Sequence, residues 1–165
     1  MKHKLVLSGI DNTLPLHRDF QFFALDLIKN AKSRVMITTY NISDSALDFI
    51  KELIRISKKK VEVTIIFDSW DKVGDNITNR LKGMRNPYFR AIAIGDYSKV
   101  ITNHSKVLIV DSENIIIGSN NISMNSFHNN FEVGIFISDK ALVKDVIKAI
   151  LALLERINYN FTNQL

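Results

Sequence analysis

Apolar residues recur along this chain in two alternating ways, as compact strand-like runs and as stripes at helical spacing, the signature of an α/β layered domain. KLVLSGI (4–10) reads as a strand, and residues 19–31 read as a helix with Phe22, Phe23, Leu27 and Ile28 on one stripe. The strand RVMITTY (34–40) follows. A second helix is expected over about 45–58, where Leu47, Ile50, Leu53 and Ile54 share a face and Ser45 with Asp48 suits a capping box. Then come the strand VEVTIIF (61–67), a polar helix around 72–84 and the strand FRAIAI (89–94). KVLIV and NIIIG, joined across Asp111 to Asn114, predict a hairpin within 104–118. FEVGIFI (131–137) adds a strand, and an amphipathic helix over about 139–157 closes the chain with Leu142, Val146, Ile147, Ile150, Leu154 and Ile157. No composition shift, repeat or low-complexity tract marks a boundary, so residues 1–165 are read as one domain.

Composition narrows the class. At 165 residues, 46% hydrophobic and 24% charged, the chain has enough apolar material for a core that needs no staples. Zero cysteines removes disulfides, thiolate zinc sites and cysteine nucleophiles together. No stretch approaches the ~18 apolar residues of a membrane span, and the first apolar run is too short for a signal peptide. A soluble, cytoplasmic protein without stable membrane association is the expectation. The 22 Lys and Arg against 17 Asp and Glu leave a net charge of +5, which tilts the choice of partner toward polyanions such as nucleic acid.

One segment concentrates the chemistry. NHSKVLIVDSENIIIGSNN holds His104, Lys106, Asp111, Gly118, Ser119 and Asn121. At average residue frequencies, six such identities at fixed spacing arise by chance in a chain of this length with probability on the order of 10⁻⁶. On a strand, His104 and Lys106 are two apart and point to one face, so an imidazole and an ammonium share a pocket. If NIIIG returns antiparallel, it brings Ser119 and Asn121 beside them, a hydroxyl and an amide able to donate to anionic oxygens. The set has the character of a phosphate receptor with a nucleophile in it.

The spacing HxK(x4)D(x6)GSxN is identified as the HKD motif of the phospholipase D superfamily, matched at all six positions, and Asn130 with Glu132 resembles the family's downstream Asn-x-Glu. The order of elements from about residue 18 onward is similar to one family repeat, which implies a mixed β-sheet flanked by helices on both faces, an α-β-α sandwich with its motif core at 104–132. The resemblance further implies that His104 attacks phosphorus and forms a phosphohistidine. Lys106 and Asn121, supported by Ser119, hold the nonbridging oxygens, and Glu132 orients the His104 ring. Asp111 is expected to be structural, and Gly118 to permit a tight bend. The leaving oxygen needs a second imidazole, yet the chain has one HxK; His3, His17 and His128 lack the motif around them. The resemblance is to the small bacterial single-motif endonucleases, which are homodimers, so two copies of His104 are expected across a shared site. No metal or other cofactor is implied, and Asp68, Asp71 and Asp75 are read as turn residues.

A nuclease acting on DNA or RNA is therefore the leading reading. Arg80, Lys82, Arg85, Arg90 and Lys99 are cations able to flank the site, and Tyr40, Trp70 and Tyr97 are aromatics on which a base could stack; Tyr40 and Lys99 are the named substrate-binding candidates. A phospholipase D-type lipid enzyme is the alternative, for which Phe127 and Phe131 would have to form an apolar lip. A third reading is a catalytically silent nucleic-acid-binding subunit. The opening KLVLSGIDNTL resembles the start of haloacid dehalogenase-type phosphatases, but Gly9 stands where the attacking aspartate belongs, so the segment with Asp11, Asn12, Thr13 and Leu14 is read as a turn.

Overall fold

Strands β1 (Lys2–Ser8), β2 (Arg18–Asp19), β3 (Arg34–Thr39), β4 (Glu62–Phe67), β5 (Phe89–Ala93), β6 (Val107–Val110), β7 (Asn114–Gly118) and β8 (Glu132–Ser138) form one mixed sheet in a computed structural model that describes residues 2–9 and 18–159. The order across it is β2-β1-β8-β7-β6-β3-β4-β5. The strands β3, β4 and β5 run parallel to one another, whereas β3-β6, β6-β7, β7-β8 and β1-β8 pair antiparallel. The hairpin expected from KVLIV and NIIIG is present, with Leu108 opposite Ile116. The segment around Asp11 to Leu14, and His17, lie outside the described residues.

Helices cover both faces, as expected. On one face lie α1 (Phe20–Lys29), α2 (Leu47–Ser57) and α3 (Asp75–Lys82), packed through Ala24, Ile28, Ile50, Leu53 and Ile77 onto Val35, Ile65, Leu108 and Ile116. On the other lies α4 (Lys140–Arg156), whose Val143, Ile150 and Leu154 meet Met36, Ile66, Ile109 and Ile115. Aspartates start two of these helices: Asp19 accepts from Phe22 N (3.1 Å) and Asp139 from Ala141 N (2.9 Å), satisfying amides that have no partner within the helix.

Three local expectations are corrected. Phe22 is 74% exposed, and the buried stripe of α1 is instead Phe20, Ala24 and Ile28. In α4, Val143 is fully buried while Leu142, Val146 and Ile147 are half-buried. No capping box forms at α2: the helix is entered through a 3₁₀ turn at Asp44–Ala46, Ser45 Oγ meets Ser43 Oγ (2.5 Å) and Met124 N (3.3 Å), and Asp48 pairs with Lys51 (2.8 Å).

At the carboxyl ends of β3 and β4 the connecting loops are stitched together. Ile42 N donates to Lys72 O, Gly74 N to Ile42 O and Ser43 N to Ile122 O, so one buried residue bridges the loops that follow β3, β4 and β7. These loops border the residues singled out by the motif.

Candidate active site

His104 and Lys106 sit in the extended lead-in to β6, since the ladder starts at Val107. Their placement comes from the residues between and before them. Asn103 is 3% exposed; its Nδ2 donates to Thr39 O and Ile66 O (both 3.1 Å), and its backbone N–H donates to Asp68 Oδ1 (2.9 Å). Ser105 Oγ donates to Asn103 Oδ1 (2.7 Å) and lies 2.8 Å from Thr38 Oγ1. Alternation along an extended chain then turns His104 and Lys106 the other way, together. Lys106 Nζ lies 2.9 Å from His104 Nδ1, and the same ammonium donates to the His104 carbonyl at 2.7 Å. Partial burial draws Lys106 below the usual lysine range, with the nearby Glu132 carboxylate pulling the other way.

Tyr40, just past β3, joins this pair to Asn121. Its ring centre is 5.0 Å from that of His104 and 5.8 Å from Lys106 Nζ, while its backbone N–H donates to Asn121 Oδ1 (3.2 Å), with Thr39 Oγ1 at 3.3 Å from the same oxygen. Holding Oδ1 in this way leaves Nδ2 as the donor that Asn121 can offer to an anion. Lys72 Nζ lies 5.9 Å from the Tyr40 ring and pairs with Asp71.

Glu132, at the start of β8 and 9% exposed, is held by donors on both oxygens. Ser119 Oγ bonds Oε2, Ser126 Oγ donates to Oε1 at 3.2 Å and Asn130 Nδ2 reaches Oε1 at 3.4 Å. Its partners are thus two serines and an asparagine, not the His104 ring expected to be oriented by it. Ser119 is correspondingly turned inward: its hydroxyl proton is committed to Glu132, and its oxygen accepts from Val133 N (3.2 Å), so it supports the carboxylate and does not offer a donor to a bound anion.

Asp111 is structural, and the reason is local. With φ +56° it turns the β6-β7 hairpin, and its carboxylate accepts from the backbone of Lys32, Ser33 and Arg34 at 2.8–3.2 Å and from Ser33 Oγ, tying the hairpin to the turn between α1 and β3. Gly118 makes no left-handed bend. A Cβ there would sit 2.7 Å from Val133 O and 2.8 Å from Gly134 Cα, so the glycine allows β7 and β8 to approach closely beside the site.

The remaining candidates separate. Lys99 donates to Gly95 O (2.9 Å) after β5 rather than to the His104 cluster. Trp70 is engaged by Asp96, Phe67 and Lys82, and Tyr97 packs edge-on to Tyr159. Phe127 is buried between Phe20 and Phe49 and forms no lip, whereas Phe131 is 65% exposed. His3 and His128 are exposed. Asp68 holds the Asn103 backbone and Asp71 pairs with Lys72; among the described residues no group of three or more His, Cys, Asp or Glu is placed to hold a metal ion. Nor is any helix among them long and apolar enough to cross a membrane. Asn103, Ser105 and Ser126 carry much of the geometry and have no motif that points to them. Period-two alternation in NHSK is the one signal that could have assigned Asn103 and Ser105 to the inner face.

Comparison with known proteins gives a consistent picture. Residues 24–154 match a family described as cardiolipin synthase, PLD-like domain. Among solved structures, NucT from Helicobacter pylori superposes with a TM-score of 0.72 at 22% identity, over 93% of this chain and 97% of that one. A phospholipase D family member, Nuc from Salmonella typhimurium, gives 0.69 at 21% identity, over 96% and 95%. A polyphosphate kinase from Porphyromonas gingivalis gives 0.63 at 16% identity, over 92% of this chain but 22% of the kinase. No curated protein matches the chain.

Proposed function

The chain belongs to the phospholipase D-like family, and from that membership we propose that it is a phosphodiesterase cleaving nucleic acid, DNA or RNA, through a phosphohistidine in a homodimer. The observation that carries the reading is the contact of His104 with Lys106 beside Tyr40, whose backbone fixes Asn121, a nucleophile with nearby donors suited to phosphate oxygens. A His104 ring nitrogen attacks phosphorus, forming N–P as the P–O bond to the leaving group breaks. The leaving oxygen takes a proton from an imidazolium opposite, and water then releases the phosphoryl group from His104. Lys106 and Asn121 offset the charge that gathers on the nonbridging oxygens in both steps. Glu132, fixed by Ser119, Ser126 and Asn130, places a negative charge behind this cationic pocket and favours the protonated form of Lys106.

His104 of a second copy supplies the acid. A strip of exposed apolar residues supports this arrangement: Leu5, Ile135 and Ile117 lie side by side in register across β1, β8 and β7, with Val133 next along β8, at exposures of 37–45%. The strip shares the sheet face of α4, which covers Ile115 and Ile109, while Leu5, Val133 and Ile135 stay exposed. On the same face α4 has half-buried Val146, Ile147, Leu151 and Leu153 beyond its three fully buried contacts. A two-fold pairing sets the helix flank of each copy against the strip of the other, the self-complementarity of an isologous interface. NucT and Nuc share the fold, and the net charge of +5 suits a polyanion.

Single-turnover incubation with single-stranded DNA, duplex DNA, RNA and phosphatidylcholine in EDTA tests the proposal. Polynucleotide cleavage is the expected result. Headgroup release instead would assign a lipid substrate, in keeping with the lipid synthase in the family's description, and binding without turnover would assign a silent subunit. Sedimentation of the wild type and of Ile135→Lys tests the pairing, with a dimer expected for the first and a monomer for the second.

A further inference from the structure

Ser126 belongs to a single π-helical turn, Asn125–Asn129, in the loop between β7 and β8, and is 2% exposed. Its hydroxyl donates to Glu132 Oε1 and accepts from the backbone N–H of Asn121, both at 3.2 Å. One oxygen therefore joins the carboxylate to the residue that offers an amide to the substrate. The rest of Ser126 is held as firmly: its N–H donates to Ser123 Oγ (3.1 Å), and its carbonyl accepts from Ser8 Oγ (2.5 Å) and Asn120 Nδ2 (3.0 Å). A π-helical turn is an uncommon backbone form that collects at functional sites, and here it points a buried hydroxyl between two site residues.

We propose that Ser126 is a positioning residue that locks Glu132 and Asn121 into a single geometry, so that the anion pocket is preformed before substrate arrives. This rests on the phosphodiesterase reading for the identity of the reaction, and on geometry alone for the coupling. Without the hydroxyl, the Asn121 N–H loses its acceptor and Glu132 Oε1 loses a donor, in a buried place where neither is readily replaced. A displacement of about an ångström at a group that contacts the transition state costs on the order of 100-fold in rate.

The test pairs Ser126→Ala with Ser126→Thr, which keeps the hydroxyl, and with Ser57→Ala, which removes an equally buried hydroxyl at the end of α2, bonded to Ile54 O and Asn86 Nδ2 and to neither Glu132 nor Asn121. Turnover is measured on bis(p-nitrophenyl) phosphate and affinity on inorganic phosphate by calorimetry, with melting curves alongside. Ser126→Ala is expected to lower kcat about 10- to 100-fold with KM within threefold, and to weaken phosphate binding. Ser126→Thr restores both, and Ser57→Ala lowers melting temperature alone. Should Ser126→Ala fail to fold, Ser126→Cys, similar in size but a weak donor, is expected to show the same pattern in milder form. Ser126→Ala behaving like Ser57→Ala in both assays would overturn the proposal. A wild type that binds phosphate but turns over no diester would remove the enzymatic reading, while the binding comparison still decides the role of Ser126.

Discussion

Lys106 Nζ lies 2.9 Å from His104 Nδ1. An ammonium has donors only, so the ring nitrogen that meets it accepts, and Nδ1 is the nearer of the two, Nε2 lying at 3.4 Å. On the proposed function, a phosphate oxygen arriving in the pocket competes with the ring for that ammonium. On the same reading, the charge of Lys106 governs anion binding, and it is shared with the His104 ring beside it.

Burial lowers the lysine's affinity for its proton, only partly offset by Glu132, so its charge is lost as pH rises toward a value below the ordinary ~10.4. Phosphate affinity measured across alkaline pH is expected to decline before that value. Lys106→Arg, which stays charged, should lose the alkaline decline even where its shape weakens binding. A decline that persists in the arginine variant assigns the titration to another group.

His104 is exposed, with the Tyr40 ring and Lys106 beside it. His104→Ala is expected to abolish turnover while stability stays within about 0.5 kcal/mol and the dimer survives. Turnover near that of the wild type would place the nucleophile elsewhere.

Glu132 accepts from three side chains, and Gln in its place presents an NH₂ group toward one set of donors. Glu132→Gln is expected to lose about 1–3 kcal/mol of stability and to slow turnover less than His104→Ala does. Thermal unfolding and kinetics on the same preparation check both. An unchanged melting temperature would mean that the serine clamp is not formed.

Asp111 illustrates stability that depends on pH. Partial burial raises the affinity of its carboxyl for protons, but the amides of Ser33, Lys32 and Arg34 and the Ser33 hydroxyl outweigh it, leaving the group below the ordinary carboxylate range. A carboxyl with a depressed folded value contributes stability above about pH 4 and loses it as pH falls through that lower value. Asparagine tolerates the positive φ, so Asp111→Asn isolates the carboxylate. Urea unfolding at pH 7 is expected to show a loss of about 1–2 kcal/mol, and the gap from wild type should narrow at pH 3.

Much of this was legible from residue order, and the misses have physical causes. The β6-β7 hairpin and the pairing of His104 with Lys106 followed from strand alternation and motif spacing. The face of α1 did not, because FQFFALDLI is apolar on several sides and its phase is set by contacts with α2 and the sheet. Gly118 was expected to bend the chain; its need is inter-strand clearance to Gly134, which linear order does not display. The partners of Glu132 come from Ser119, Ser126 and Asn130, and only the fold decides which of the many polar side chains between 119 and 130 reach it.

Ile42 makes one mechanical part of three separate loops. Any ligand that shifts the segment carrying Lys72 drags Ile122, the residue that follows Asn121, with it, because both hang from the same backbone peg. Grip at the rim of the cleft is thereby felt at its floor.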